Sequence, residues 1–198
     1  MRIIAGEAKG RHIRAPRGRN TRPMRDFVRE AVFGMLGERV AGARVLDLFA
    51  GSGSLGLEAL SRGAQHAVFV DRGREAARII QENLDKLGMS DRGTVVRCEV
   101  LDYLRKNRLP GSAFDLIFID PPYKIDVNYR EEMLKRLADG GFLGPCAVLV
   151  MEAPLRSSIP GAPPGLGFRE RRKYGETAVD IYMQEENIVR EERGAGEE

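Results

Sequence analysis

Four consecutive residues carry the sharpest chemical signal in this chain: Asp120, Pro121, Pro122 and Tyr123, directly after the apolar run 114–119. Two successive prolines fix φ and remove both backbone N–H donors, so the loop is stiff and its carbonyls are left to accept from elsewhere. A carboxylate before them and an aromatic ring behind them make a clamp for a planar base that carries an amino group. Asp and Pro also favour ordinary turns. The chemical reading therefore depends on what else gathers at the end of that strand.

A second group lies upstream. Val45-Leu46-Asp47-Leu48 runs into Phe49-Ala50-Gly51-Ser52-Gly53-Ser54-Leu55-Gly56, and Leu57, Ala59 and Leu60 follow at helical spacing. Strand, tight glycine turn and helix are the opening unit of an open α/β sheet, with a ligand expected at the strand's carboxyl end. Gly51 and Gly53 would let backbone approach that ligand, and Gly56 would let the helix pack on the strand. Asp47 would repel a pyrophosphate seated at the helix N-terminus. It suits a ligand bearing an ammonium and a sulfonium, as S-adenosylmethionine does. A nicotinamide dinucleotide, or an Asp that only caps the loop, stays open at this point.

Two further acids fall at strand ends. Asp71 closes the run 67–71, twenty residues after Gly51, where an acid takes the ribose hydroxyls of an adenosine ligand; the alternative is a helix cap. Asp102 follows the run 94–98 and could accept from an adenine amine, or cap a short helix. Ala50 and Arg72, beside the turn and beside Asp71, complete the candidate cofactor set. His12 and His66 lack ligand-spaced companions, so no metal is expected.

The elements that must position these residues follow from periodicity. Residues 1–15 read as a β-hairpin, 16–23 as a basic loop and 24–38 as an amphipathic helix. Strands are expected at 45–48, 67–71, 94–98, 114–119 and 147–151, with helices over 74–87, ended by Gly88, and 129–137. Residues 168–174 and 177–183 read as a hairpin that closes the sheet. The fold expected is α/β, a Rossmann-like doubly wound, mostly parallel seven-stranded sheet with an antiparallel C-terminal hairpin and an N-terminal hairpin-plus-helix extension. One domain spans 1–184, with a nucleic-acid-contacting part at 1–38, a catalytic core at 39–184 and an acidic tail at 185–198.

Composition narrows the partners. At 198 residues and 42% apolar, the chain reads as one soluble domain with no membrane span and no signal-peptide core. Cys98 and Cys146 sit alone in strand-like runs and are expected as buried free thiols of a cytoplasmic protein. The net charge of +3 conceals an asymmetry: residues 1–25 hold eight Arg and Lys against one Glu, whereas 185–198 hold six Glu against two Arg. A basic arm on a neutral body is the footprint of a polyanion binder. Arg11, Arg14, Arg17, Arg19, Arg22 and Arg25 are its candidate RNA contacts.

Taken together, these residues resemble the RsmD-type 16S ribosomal RNA (guanine-N2)-methyltransferases, within the seven-stranded Rossmann-like methyltransferases. The likeness runs through Met1-Arg2-Ile3-Ile4-Ala5-Gly6, Gly10-Arg11, Arg22-Pro23, Asp26, Val28-Arg29-Glu30, the Asp47 to Gly53 block, Leu55 to Arg62 and Asp120 to Tyr123, in that order. Met24, Arg25 and Phe27 depart from the family's usual residues. The resemblance implies S-adenosylmethionine as cofactor and small-subunit RNA as partner, free or in a ribosomal particle, with the protein a monomer. It also implies that Asp120 and the Pro121 carbonyl accept from the guanine amine, Pro122 stiffens the loop and Tyr123 stacks on the base. A DNA or other RNA amino-methyltransferase acting on adenine N6 or cytosine N4 shares the Asp-Pro-Pro-Tyr motif. A nicotinamide-dependent oxidoreductase or a non-catalytic RNA-binding protein would each explain only part of the pattern.

Overall fold

The computed structural model describes residues 1–16, 26–106, 113–122 and 125–185. Seven strands, β1 (Arg44–Leu48), β2 (His66–Asp71), β3 (Gly93–Arg97), β4 (Phe114–Ile119), β5 (Leu143–Pro154), β6 (Leu166–Tyr174) and β7 (Thr177–Gln184), form one sheet in the order β3-β2-β1-β4-β5-β7-β6. β1 to β5 are mutually parallel; β7 is antiparallel to both β5 and β6. The expected fold class stands. The helices are α1 (Asp26–Leu36), α2 (Ser54–Ser61), α3 (Arg74–Leu87), α4 (Val100–Lys106) and α5 (Val127–Asp139). None is long and apolar enough to cross a membrane.

Alternation along each strand sends its side chains to two separate cores. On one face Val45, Phe118, Val148 and Val150 pack with Val32, Phe33, Leu57 and Ile80 of α1, α2 and α3. On the other, Leu46, Ile117, Leu149 and Met151 pack with Leu104, Met133 and Leu137 of α4 and α5. The strand order reverses between β1 and β4, and ligand crevices of open α/β sheets form outside the carboxyl ends at such a point.

Several boundaries differ from the sequence reading, each for a local reason. α1 stops at Leu36 because Gly37 takes φ 53°, and a 3-10 turn, Gly37–Val40, follows. β5 is longer than its apolar run. Its far end is held by β7, with Pro154 opposite Thr177, and its near end is irregular, the register slipping between Phe114 and Leu116. Cys146, beside that slip, is exposed, and Cys98, just after β3, is only half-buried, correcting the expectation of two buried thiols. The N-terminal hairpin is reduced to one bridge, Arg2 with His12. Its backbone instead bonds to α2: Glu58 accepts from Ile4 and Ala5 N–H at 2.8 and 3.0 Å. Gly6 is obligatory there, since a Cβ would lie 1.8 Å from the Ser61 carbonyl oxygen.

Candidate functional site

The crevice at the β1–β4 switch is built from backbone first. After β1 the chain turns through Phe49 (φ 60°), Gly51 (φ 58°) and Gly53 (φ 76°), three left-handed conformations in five residues. Phe49 is the only non-glycine with positive φ among the described residues, a strained conformation of the kind that clusters at ligand sites. A Cβ on Gly51 would meet only the Phe49 carbonyl at 3.7 Å, so this glycine opens the turn toward the crevice. Gly53 serves packing instead, because its Cβ would press on Ile80 and Phe69 at 3.3 Å. Gly56 does what its position suggested, sitting so close to Phe69 that a Cβ would lie 2.3 Å from the ring.

Carboxylates hold this turn in place. Asp71 accepts from Gly51 N–H at 2.9 Å with one oxygen and from Gly73 N–H at 2.7 Å with the other. A carboxylate can accept more than two bonds, so the cap and a ligand contact are compatible. Asp47, 1% exposed, accepts from Gly56 N–H at 3.0 Å. Burial pushes its carboxyl well above the usual carboxylate range and the negative charges of Asp120 and Asp71 push the same way, against the Gly56 bond. Asp120 stands at the end of β4, its N–H 3.5 Å from the Leu48 carbonyl, and burial raises its pKa to about 7. Pro121 is half-buried and Pro122 exposed beside it. Ala50 donates to the Val70 carbonyl at 3.1 Å, tying the turn to β2.

A match to the family described as "Conserved hypothetical protein 95" spans residues 1–183. The chain belongs to this family. It is 38% identical over 184 residues to "Putative rRNA methyltransferase YlbH" of Bacillus subtilis, covering 93% of this chain and 99% of that one. It is 32% identical to "Ribosomal RNA small subunit methyltransferase D" of Escherichia coli, over 93% and 90%. The solved structure of "Putative methyltransferase yhhF from Escherichia coli" superposes with a TM-score of 0.83 at 32% identity, covering 93% and 98%. The resemblance to the RsmD-type methyltransferases therefore holds, and with it the Rossmann-like methyltransferase fold.

Within this family frame, not every candidate residue reaches the crevice. Asp102 lies a turn into α4 with its carboxylate on Arg105 at 3.0 Å. Glu99, directly after β3, is the acid that borders the site. It accepts from the Tyr129 hydroxyl at 2.8 Å and lies 3.6 Å from Arg72, whose side chain is largely exposed. Tyr129 in turn faces Phe49, ring centroids 6.4 Å apart. Glu99, Tyr129 and Phe49 escaped the sequence reading because they meet only through α5, thirty residues downstream. Glu99's position immediately behind a strand was the available signal.

The arginine set divides similarly. Arg11 donates to the Leu87 carbonyl at 3.1 Å and also reaches Lys86 O, so it caps the C-terminus of α3. Arg14 pairs with Glu82 at 2.7 Å while its side chain stays 67% exposed. Its backbone is gripped by the buried Asn83, which also donates to the Ser52 carbonyl at 3.0 Å. The arm thereby starts beside the glycine turn. Arg17, Arg19, Arg22, Arg25, Tyr123 and the acidic stretch 186–198 lie outside the described residues.

Proposed function

We propose that this protein transfers a methyl group from S-adenosylmethionine to the exocyclic N2 amine of a guanine in small-subunit ribosomal RNA. The observation that carries the reading is the meeting of the Asp120-Pro121-Pro122 loop with the glycine turn and Asp71 at one crevice. The donor set fits the cofactor: Asp47, Asp71, Glu99 and Asp120 make an acidic rim that favours a cationic ligand and would oppose a pyrophosphate. Asp71 has lone pairs for ribose hydroxyls, the Phe49–Tyr129 wall offers apolar surface to a purine, and Glu99 an acceptor for its amine. Bound there, S-adenosylmethionine supplies a methyl group activated by its sulfonium.

The guanine amine is a poor nucleophile because its lone pair is delocalised into the ring. Asp120 and the Pro121 carbonyl would accept its two N–H bonds and draw the nitrogen toward tetrahedral geometry. These acceptors bind more tightly as the nitrogen becomes positive, which is the differential stabilisation catalysis needs. A carboxyl with a pKa of about 7 also suits the proton that the alkylated amine must release. The target base has to leave its stack to reach the crevice. The names of the Bacillus and Escherichia relatives, and an arginine-rich arm that begins at the glycine turn, support ribosomal RNA as substrate.

The test is radiolabelled methyl transfer from S-adenosylmethionine to unmodified small-subunit RNA, free and in particles, followed by nucleoside analysis. Label in N2-methylguanosine is expected. Label in N6-methyladenosine or N4-methylcytidine, or none in any RNA, overturns the reading.

A further inference from the structure

Phe27 is 55% exposed, the most exposed large apolar side chain among the described residues. Core packing does not explain it, because α1 buries Val28, Val32, Phe33 and Leu36 on its other side. Among the described residues its ring contact is Tyr174, with centroids 5.6 Å apart and planes at 75°. Such an edge contact covers at most one of the four ring faces.

The pair lies on the same edge of the sheet as the crevice, the edge formed by the carboxyl ends of the parallel strands. Tyr174 is opposite Thr177, and Thr177 opposite Pro154, three residues beyond the Met151–Ile119 pair that ends the β4–β5 ladder. At ~3.3 Å per residue the β6–β7 tip stands about 10 Å past the end of β4, and three strand spacings place it about 14 Å to the side. Positive charge is dense in the sequence on both sides of the pair. β6 carries Arg169, Arg171, Arg172 and Lys173 against Glu170, and the stretch that precedes α1 in sequence, residues 1–25, holds eight Arg and Lys against one Glu. Part of the β6 charge is internal, since Arg171 pairs with Asp180 and Arg172 with Glu170. Charge on an edge strand also discourages pairing with another sheet. Neither role calls for a bare aromatic ring.

We propose that the Phe27–Tyr174 pair is a stacking platform for an unpaired base of the substrate RNA, a few nucleotides from the target guanine. An aromatic ring among cations at a groove edge is how single-stranded nucleic acid is held without sequence readout. The inference rests on the RNA-methyltransferase reading above and adds to it a second contact point. It distinguishes RNA bases from phosphates as the partner of this patch, because stacking releases no counterions.

The experiment compares full-length Phe27→Ala, Phe27→Leu and Phe27→Trp proteins. It measures affinity for in vitro transcribed small-subunit RNA, alone and assembled with small-subunit proteins, over a salt series. Circular dichroism and thermal midpoint are recorded for each. Phe27→Ala and Phe27→Leu are expected to weaken binding by about 5- to 100-fold and Phe27→Trp to restore it, with the salt slope unchanged. Affinity for S-adenosylmethionine by calorimetry should not move. If Phe27→Leu binds like wild type, apolar stapling of α1 to the hairpin suffices and the platform is overturned. A flattened salt slope overturns it too, in favour of phosphate contact. Should Phe27→Ala fail to fold, the leucine and tryptophan variants carry the comparison. A wild-type protein that methylates RNA while all variants bind it equally sinks only this inference. One that neither binds nor methylates RNA sinks the functional reading with it.

Discussion

Asp120→Asn should make the protein more stable, and increasingly so as pH rises. The carboxyl's pKa is raised by burial to about 7, well above its ordinary value of 3.8, so the folded state holds its proton where the unfolded chain has lost it. For an acid raised in this way, the stability contribution is complete below the unfolded pKa and is lost as pH climbs through the folded one. At ~1.36 kcal/mol per unit the full loss is about 4 kcal/mol, of which roughly 2–3 kcal/mol falls between pH 5 and pH 8. Asparagine has no proton to lose and escapes this penalty. It also relieves Asp47, whose carboxyl Asp120 destabilises, which adds in the same direction. Urea unfolding of both proteins at pH 5, 6, 7 and 8 should show their midpoints diverging by about 1 M across the series. A stability difference constant within ~0.5 kcal/mol over that range would refute the argument that this carboxylate is held in a charge-averse site. The same substitution should lower single-turnover methyl transfer by about 10²–10³, and the wild-type rate should climb with pH and level off above about 7. Stability and activity thus move in opposite directions.

Glu58 is fully buried between Arg29 and Arg62 and accepts from two N-terminal amides; Glu58→Gln should cost about 2–3 kcal/mol in urea unfolding, because the charge-assisted bonds to those groups are lost and the buried Arg29 keeps only the half-exposed Asp26 as counter-charge. Gly56→Ala should cost about 1–3 kcal/mol, and Phe69→Leu in the same chain should recover most of it, since the clash is with that ring. Asp71→Ala should weaken S-adenosylmethionine binding by roughly 1–3 kcal/mol in calorimetry and also loosen the turn it ties; unchanged affinity would leave Asp71 as a cap alone. Arg14→Ala with Arg17→Ala and Arg19→Ala should flatten the salt dependence of RNA binding by up to about two units of log–log slope, whereas Arg11→Ala, which removes a helix cap, should lower stability and leave the slope alone.

The strand-turn-helix unit, the order of the parallel strands' apolar runs and the Asp-Pro-Pro-Tyr loop were legible because each is local. Alternation, glycine at positive φ and proline's missing N–H leave their marks within a few residues. The match over residues 1–183 agrees with the family read from those marks. What lay beyond reach depended on partners far along the chain. Asp102 and Glu99 look alike in sequence, and only the packing of α5, which brings the Tyr129 hydroxyl to Glu99, separates the acid at the crevice from the one on Arg105. Arg11 and Arg14 belong to one basic stretch, yet α3 takes the first for its own carbonyls and leaves the second largely in solvent. Cys146 sits in an apolar run, yet it is exposed beside the slipped β4–β5 register. Charge and apolarity say what a side chain can do. Which neighbour it meets is a property of the closed sheet, because contacts between residues thirty to eighty positions apart arise only when the helices pack on its two faces.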